Sequence, residues 1–266
     1  MKHQIKEVIQ RFAYRWARTR GNPRRLEWYG SKTYSQSDED GIVAEIFRRI
    51  GTTNKVFVEF GAEAGSENNT RLLLTRGWSG LWIEGNPSCA VQVQQVFRNE
   101  ITTGRLRFVS EYVDRDNINL LIADAGFSGE IDFLSIDIDG NDYHVFEAIN
   151  VVHPRVVCLE HNHSFAPPVD WVMPYDPSYR WNPASGVADY GASITAMTRL
   201  AHQKGYVLVG CGLYSPNGFY VRSDQLKGRF SAPDTPQRLF NPLRYEKVAT
   251  FPQRLGARLR QVWRRE

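Results

Sequence analysis

Cysteine is scarce in this chain, long apolar runs are missing, and the N-terminus carries no recognisable export signal; each shortage removes a class of protein. The 266 residues include three cysteines, Cys89, Cys158 and Cys211. They are far apart, odd in number and not arranged as CxxC, which speaks against a disulfide framework and against a zinc knuckle. No apolar run reaches the roughly 18 residues that a membrane-spanning helix needs. The first residues lack an apolar segment followed by a small-residue cleavage site, so a cytoplasmic location is the expectation. What is present is an ordinary globular composition, 42% hydrophobic and 12% aromatic. A packed core follows from it.

The net charge of +4 hides an uneven distribution. Residues 1–25 hold eight Lys and Arg against Glu7, and residues 251–266 hold five Arg against Glu266. Between them stand 20 basic and 27 acidic residues, so an acidic body carries two basic ends. Both ends show helical apolar spacing: Ile5, Val8, Ile9, Phe12 and Trp16 at one, Leu255, Leu259, Val262 and Trp263 at the other. Such helices can lie on the anionic inner surface of a membrane or grip a polyanion. The simpler reading, and the preferred one, packs them on the body or on a second copy in a homo-oligomer. Nucleic acid is disfavoured by the acidic body and by the absence of a known binding motif.

Three regions follow: a basic extension over 1–34, a domain over 35–225 and a second basic extension over 226–266. Ser35 to Gly41 opens an amphipathic helix bearing Ile42, Val43, Ile46, Phe47 and Ile50, with Ser or Asp as its cap. Short apolar strands then alternate with helices: strands 56–60, 81–84, 105–109, 131–137 and 156–160, helices 69–76, 87–99, 117–125 and 143–149. This alternation predicts a doubly wound, mainly parallel α/β sheet. Residues 164–192 carry five prolines and Trp171, Tyr175, Tyr179, Trp181 and Tyr190, and read as a lid or acceptor-binding loop. A helix over 193–204 and strands over 206–210 and 219–222 complete the sheet, the last strand antiparallel after a turn at Pro216-Asn217-Gly218.

Ligands of open α/β sheets bind at the carboxyl ends of the strands. The first strand ends in Glu59-Phe60-Gly61-Ala62-Glu63-Ala64-Gly65, where glycines admit a ligand close to the backbone. The acid Glu59 suits the positive amino group of an amino-acid-bearing ligand. With Glu59 and Glu63 in place of GxGxxG, a pyrophosphate is disfavoured and a cationic cofactor fits better. Glu84 stands 25 residues after Glu59, where such folds use an acid to accept ribose hydroxyls. The fourth strand ends in Asp137-Ile138-Asp139-Gly140-Asn141-Asp142 and the fifth in Glu160-His161-Asn162-His163. Adjacent acids in this number call for a cation: Mg²⁺ or Mn²⁺ for an oxygen-rich set, Zn²⁺ or Fe²⁺ if Glu and His alone bind. Asp139, Asn141 and Asp142 also suit turn formation and helix capping.

The order of elements, the Glu59 to Gly65 loop, Glu84, and the Ile136-Asp137 segment followed by Gly140 resemble the FkbM-like methyltransferases of the Rossmann-like, S-adenosylmethionine-dependent group. The resemblance spans roughly residues 35–222. It implies that Gly61, Ala62 and Gly65 line the methionine part of the cofactor, that Glu84 holds the ribose, and that Ser110 or Glu111 borders the adenine. It further implies Asp137 or Asp139 with Glu160 and Asn162 as metal ligands, and a sugar, glycan or glycosylated natural product as acceptor. Proton removal from the acceptor hydroxyl would fall to His161, His144 or His163, His161 being preferred between two expected ligands, with Asp139 beside them. Two other readings compete: a metal-dependent hydrolase built on Asp137, Asp139, Glu160 and His161, which has no use for Glu84 or the glycine loop, and a non-catalytic membrane-surface module.

Overall fold

The computed structural model describes residues 23–182, 190–231 and 235–241. Both expected terminal helices fall outside these residues. The described elements are α1 (Glu39–Ile50), β1 (Val56–Phe60), α2 (Arg71–Thr75), β2 (Ser79–Ile83), α3 (Pro87–Val96), α4 (Arg98–Thr102), β3 (Leu106–Val109), α5 (Ile118–Asp124), β4 (Gly129–Ile136), α6 (Asp142–Ala148), β5 (Val152–Glu160), α7 (Ile194–Gln203), β6 (Tyr206–Cys211), β7 (Asn217–Arg222) and α8 (Pro236–Leu239).

The seven strands lie in the order β3-β2-β1-β4-β5-β7-β6, with β7 antiparallel to both its neighbours and the rest of the pairs parallel. The central strands are continuous apolar runs because helices cover both faces. Alternate residues sort the core into two layers. Val58, Phe60, Leu134, Ile136, Val157 and Leu159 meet α5, α6 and α7 on one face. Phe57, Trp82, Phe133, Val156 and Cys158 meet α1, α2 and α3 on the other.

Register brings the functional ends into line. Phe60 pairs with Ile83 and with Ile136, and Ile136 pairs with Leu159. The next residues, Gly61, Glu84, Asp137 and Glu160, therefore stand along one edge of the sheet. The connections reverse direction between β1 and β4, the switch point at which such sheets leave a crevice.

Three local expectations need correction. The helix expected over 87–99 is two helices broken at Phe97, whose backbone leaves the helical region while its ring packs edge-on against Trp82 at 4.7 Å. The helix expected from Asn69 begins at Arg71, because the amides of Asn69 and Thr70 are held by the Glu59 carboxylate. Asp38 occupies the N-cap position of α1 without making a capping bond; its Oδ2 accepts from the Leu213 amide. The flanking segments pack on the domain, Leu26 and Phe230 being buried in the layer that holds α1.

Candidate active site

A cleft of about 520 Å³ opens at the carboxyl edge of β1, β2, β4 and β5, within the range of small-molecule sites. Gly61, Glu63 and Gly65 all have positive φ (70°, 46° and 71°). At Gly61 a Cβ would lie 1.7 Å from the Asp137 carbonyl oxygen, and at Gly65 it would meet Phe97 and Trp82. Only glycine allows the β1 loop to lie so close to β4 and to the layer beneath. The left-handed turn at Glu63 aims its amide at Glu84, whose Oε2 accepts at 2.8 Å while Oε1 accepts from the Asn86 amide at 2.6 Å. Glu84 is thus fixed at the lip of the cleft, each oxygen retaining acceptor capacity for a hydroxyl.

Glu59 sits differently from the expectation. Its Oε1 accepts from the Asn69 amide, and Oε2 accepts from Asn68, the Thr70 amide and the Thr70 hydroxyl. It anchors the start of α2 and is not available to an amino group. Burial pushes its carboxyl up to about 7, against the pull of those donors. Beyond β3, Glu111 lines the cleft and Ser110 does not. Beside Glu111, Tyr112 lays its ring on Gly85, where a Cβ would be 2.2 Å from it.

The acids after β4 and β5 do converge. Ligand atoms of Asp137, Asp139 and Glu160 lie within 4.8 Å of one another. None of the three has an ion-pair partner among the described residues. Burial, then the neighbouring carboxylates, hold the carboxyls of Asp137 and Glu160 well above the usual range, and Asp139 is pushed up to about 6. Asp142 is a turn residue instead, accepting from the amides of Ile138 and Gly140. Asn141 holds the backbone of Asp176.

Asn162, expected as a ligand, does not line the cleft. Its amide oxygen accepts from the Ser164 amide and its Nδ2 donates to the Tyr190 carbonyl, fastening the long loop. His161 also turns away: it is buried outside the cleft lining, with its ring 6.0 Å from that of Phe240. Burial and His163 lower its pKa to about 3. His144 donates Nε2–H to the Met173 carbonyl at 2.9 Å and packs between Tyr143 and Tyr175. Of the three histidines, His163 alone lines the cleft, half-buried, with a buried Nδ1 that has no hydrogen-bond partner and a pKa lowered by burial.

The long loop closes the far side. Tyr179 lies over Gly140, where a Cβ would be 2.6 Å from the ring, and Trp181 faces Tyr190 at 6.3 Å. Tyr179, Arg180, Trp181 and Tyr190 all line the cleft.

Residues 89–208 match the family described as the methyltransferase FkbM domain. The matched segment, which is similar to that domain, spans 120 of the 266 residues. The match is to a methyltransferase domain and covers the acids after β4 and β5. The Gly61 to Gly65 loop and Glu84 precede the matched segment. A search of curated proteins finds no match. Among solved structures, the methyltransferase domain of bacterial CtHen1-C is 14% identical, with a TM-score of 0.43 over 69% of this chain and 97% of that one. Magnesium protoporphyrin IX methyltransferase from Synechocystis PCC 6803 is also 14% identical, with a TM-score of 0.42 over 84% and 100%. An S-adenosylmethionine-dependent methyltransferase from Clostridium acetobutylicum is 10% identical, with a TM-score of 0.40 over 67% and 87%. Among the described residues no helix is long and apolar enough to cross a membrane.

Proposed function

We propose that the chain is an O-methyltransferase that takes a hydroxyl of a sugar, a glycan or a glycosylated natural product, with a divalent cation at Asp137, Asp139 and Glu160. The observation that carries this reading is the placement of three acids without an ion-pair partner among the described residues, Glu160 buried and Asp137 and Asp139 partly so, in the same cleft as the Gly61–Gly65 loop and Glu84. Bound S-adenosylmethionine supplies an electrophilic methyl group. The cleft suits it on two counts: the glycine loop lets a ligand reach the backbone, and the lining carries many carboxylates against Arg180 as its one Lys or Arg side chain among the described residues. Mg²⁺ or Mn²⁺ matches an all-oxygen donor set, and would lower the pKa of a hydroxyl bound beside it.

The protein's own groups do the rest. Glu84 orients the ribose, and a fixed alignment of acceptor, methyl and sulfur supplies about 7–11 kcal/mol of the barrier in well-positioned reactions. His163, kept neutral by burial, is the base that faces the cleft; positioned bases contribute about 10²–10⁴-fold. Trp181 and Tyr190 offer aromatic faces to the apolar side of a sugar ring.

Calorimetric titration with S-adenosylmethionine, with Mg²⁺ or with chelator, tests the reading. Binding is expected, and Glu84→Ala should weaken it about 10- to 100-fold through loss of a charged acceptor. Unchanged affinity in the folded variant removes Glu84 from the cofactor site. Methyl transfer that persists in chelator removes the metal.

A further inference from the structure

A fourth buried acid in the cleft belongs neither to the ribose end nor to the group around Asp137. Glu39, the first residue of α1, is 0% exposed and lines the cleft. Its Oε1 accepts from the Asn217 side-chain amide at 3.1 Å and its Oε2 from the Ser37 backbone amide at 2.9 Å. No Lys, Arg or His pairs with it among the described residues.

Two asparagines in the lining add to the imbalance. Asn68, 8% exposed, donates Nδ2 to Glu59 and leaves its Oδ1 buried with no hydrogen-bond partner. Asn217, 2% exposed, donates Nδ2 to Glu39 and likewise leaves Oδ1 without one. This part of the cleft therefore presents a buried carboxylate with no cationic partner among the described residues and two amide oxygens with no donor to meet them. Buried acceptors left in that state are costly. A primary ammonium is their complement, with three N–H donors and a positive charge.

We propose that Glu39, with the amide oxygens of Asn68 and Asn217, recognises the α-ammonium of the cofactor's methionyl tail. The assignment rests on the cofactor reading above and deepens it. It gives this role to an acid on α1, since the acid at the end of β1, Glu59, is already bonded to the start of α2. The cofactor is then gripped at two points, Glu84 beyond β2 and Glu39 beside the start of β7, in the cleft that the glycine loop and the Asp137 acids also line.

Three ligands test it by calorimetry on the full chain: S-adenosylhomocysteine, its deaminated analogue that keeps the carboxylate, and 5′-methylthioadenosine, which lacks the amino-acid tail. Wild type should bind the deaminated analogue about 10- to 100-fold more weakly than S-adenosylhomocysteine. Glu39→Gln should lose a similar factor for S-adenosylhomocysteine and almost nothing for the other two. Equal wild-type affinity for the aminated and deaminated ligands overturns the proposal, as does a Glu39→Gln variant that weakens all three alike or none. Should Glu39→Gln fail to fold, Asn68→Ala with the same three ligands replaces it, and the wild-type comparison stands without either variant. If wild type binds none of the three, the cofactor reading itself fails.

Discussion

The two edges of the sheet treat buried acids in opposite ways. At the edge away from the cleft, Asp132 is fully buried, yet it pairs with Arg155 at 2.7 Å and accepts from the amides of Thr53, Asn54 and Lys55. At the cleft edge, Glu160 and the partly buried Asp137 and Asp139 crowd together with no ion-pair partner among the described residues. One β4 strand joins the two sites, with Asp132 inside it and Asp137 directly after it. The same side-chain type is satisfied where it holds the fold and left unsatisfied where a ligand is expected. Strain and uncompensated charge gather at sites that bind, and the rest of the fold must hold them in place.

The largest expected effect breaks the satisfied edge. Asp132→Ala leaves the Arg155 guanidinium buried without its partner, and breaking such a pair costs about 3–5 kcal/mol. Chemical denaturation should show that loss with and without Mg²⁺. At the other edge Asp137→Asn removes a repulsion, so the metal-free protein should be as stable as wild type or more so, while methyl transfer falls at least about a hundredfold and the Mg²⁺-induced rise in melting temperature disappears. A metal-free Asp137→Asn protein that is clearly less stable would make Asp137 a structural residue like Asp132, and the contrast would collapse.

A smaller effect appears in pH, with opposite signs at the two edges. Glu59, beside the cleft, has its folded pKa raised by burial to about 7 from 4.5. The folded state holds that proton more tightly than the unfolded one, so stability falls as pH rises from about 4.5 to 7. For Asp132, burial works upward but Arg155 and the three amides outweigh it, and its pKa lies below 3.8. Its contribution is present above 3.8 and is lost as pH falls below that value. Melting curves between pH 4.5 and 7 should therefore show a shallower decline in Glu59→Gln than in wild type. An identical slope would mean that Glu59 is ionised throughout.

How much of this could be read from the sequence follows the same division. The acids that end strands were legible, because parallel register places the residues after β1, β2, β4 and β5 on one edge whatever the loops do. Glu84, Asp137 and Glu160 needed only strand periodicity. His161 and His144 were misjudged because the path of the chain after a strand decides which side chain faces inward: His161 turns toward Phe240 and His144 toward Met173, leaving His163 at the cleft. Asn162 carried the residue type of a ligand, but its amide is taken by loop backbone. Glu39 left no trace as a site residue, since its partner Asn217 is 178 positions away. It read only as part of the Ser35 to Gly41 segment that opens the first helix.

The smallest expected effect concerns what covers the cleft edge. The Arg180 guanidinium lies 3.9 Å from the centre of the Tyr112 ring, and Arg115 lies 3.9 Å from that of Tyr175. Each of the two loops, the one after β3 and the long one after β5, thus gives an arginine to the other's tyrosine. Exposed stacks of this kind contribute about 0.5–1 kcal/mol, far less than the buried pair at the opposite edge. Arg180→Ala should accordingly leave the melting temperature nearly unchanged and weaken S-adenosylhomocysteine binding by only about 2- to 5-fold, because the loop beside Glu84 loses its cover. Tyr112→Ala should cause a similar loss, and the double variant should lose no more than the larger single effect if the guanidinium and the ring act through one contact. Fully additive losses would mean that Arg180 and Tyr112 touch the ligand independently. The far edge of the sheet would then be the only one held by paired groups, and the cleft edge would owe its shape to the ligand.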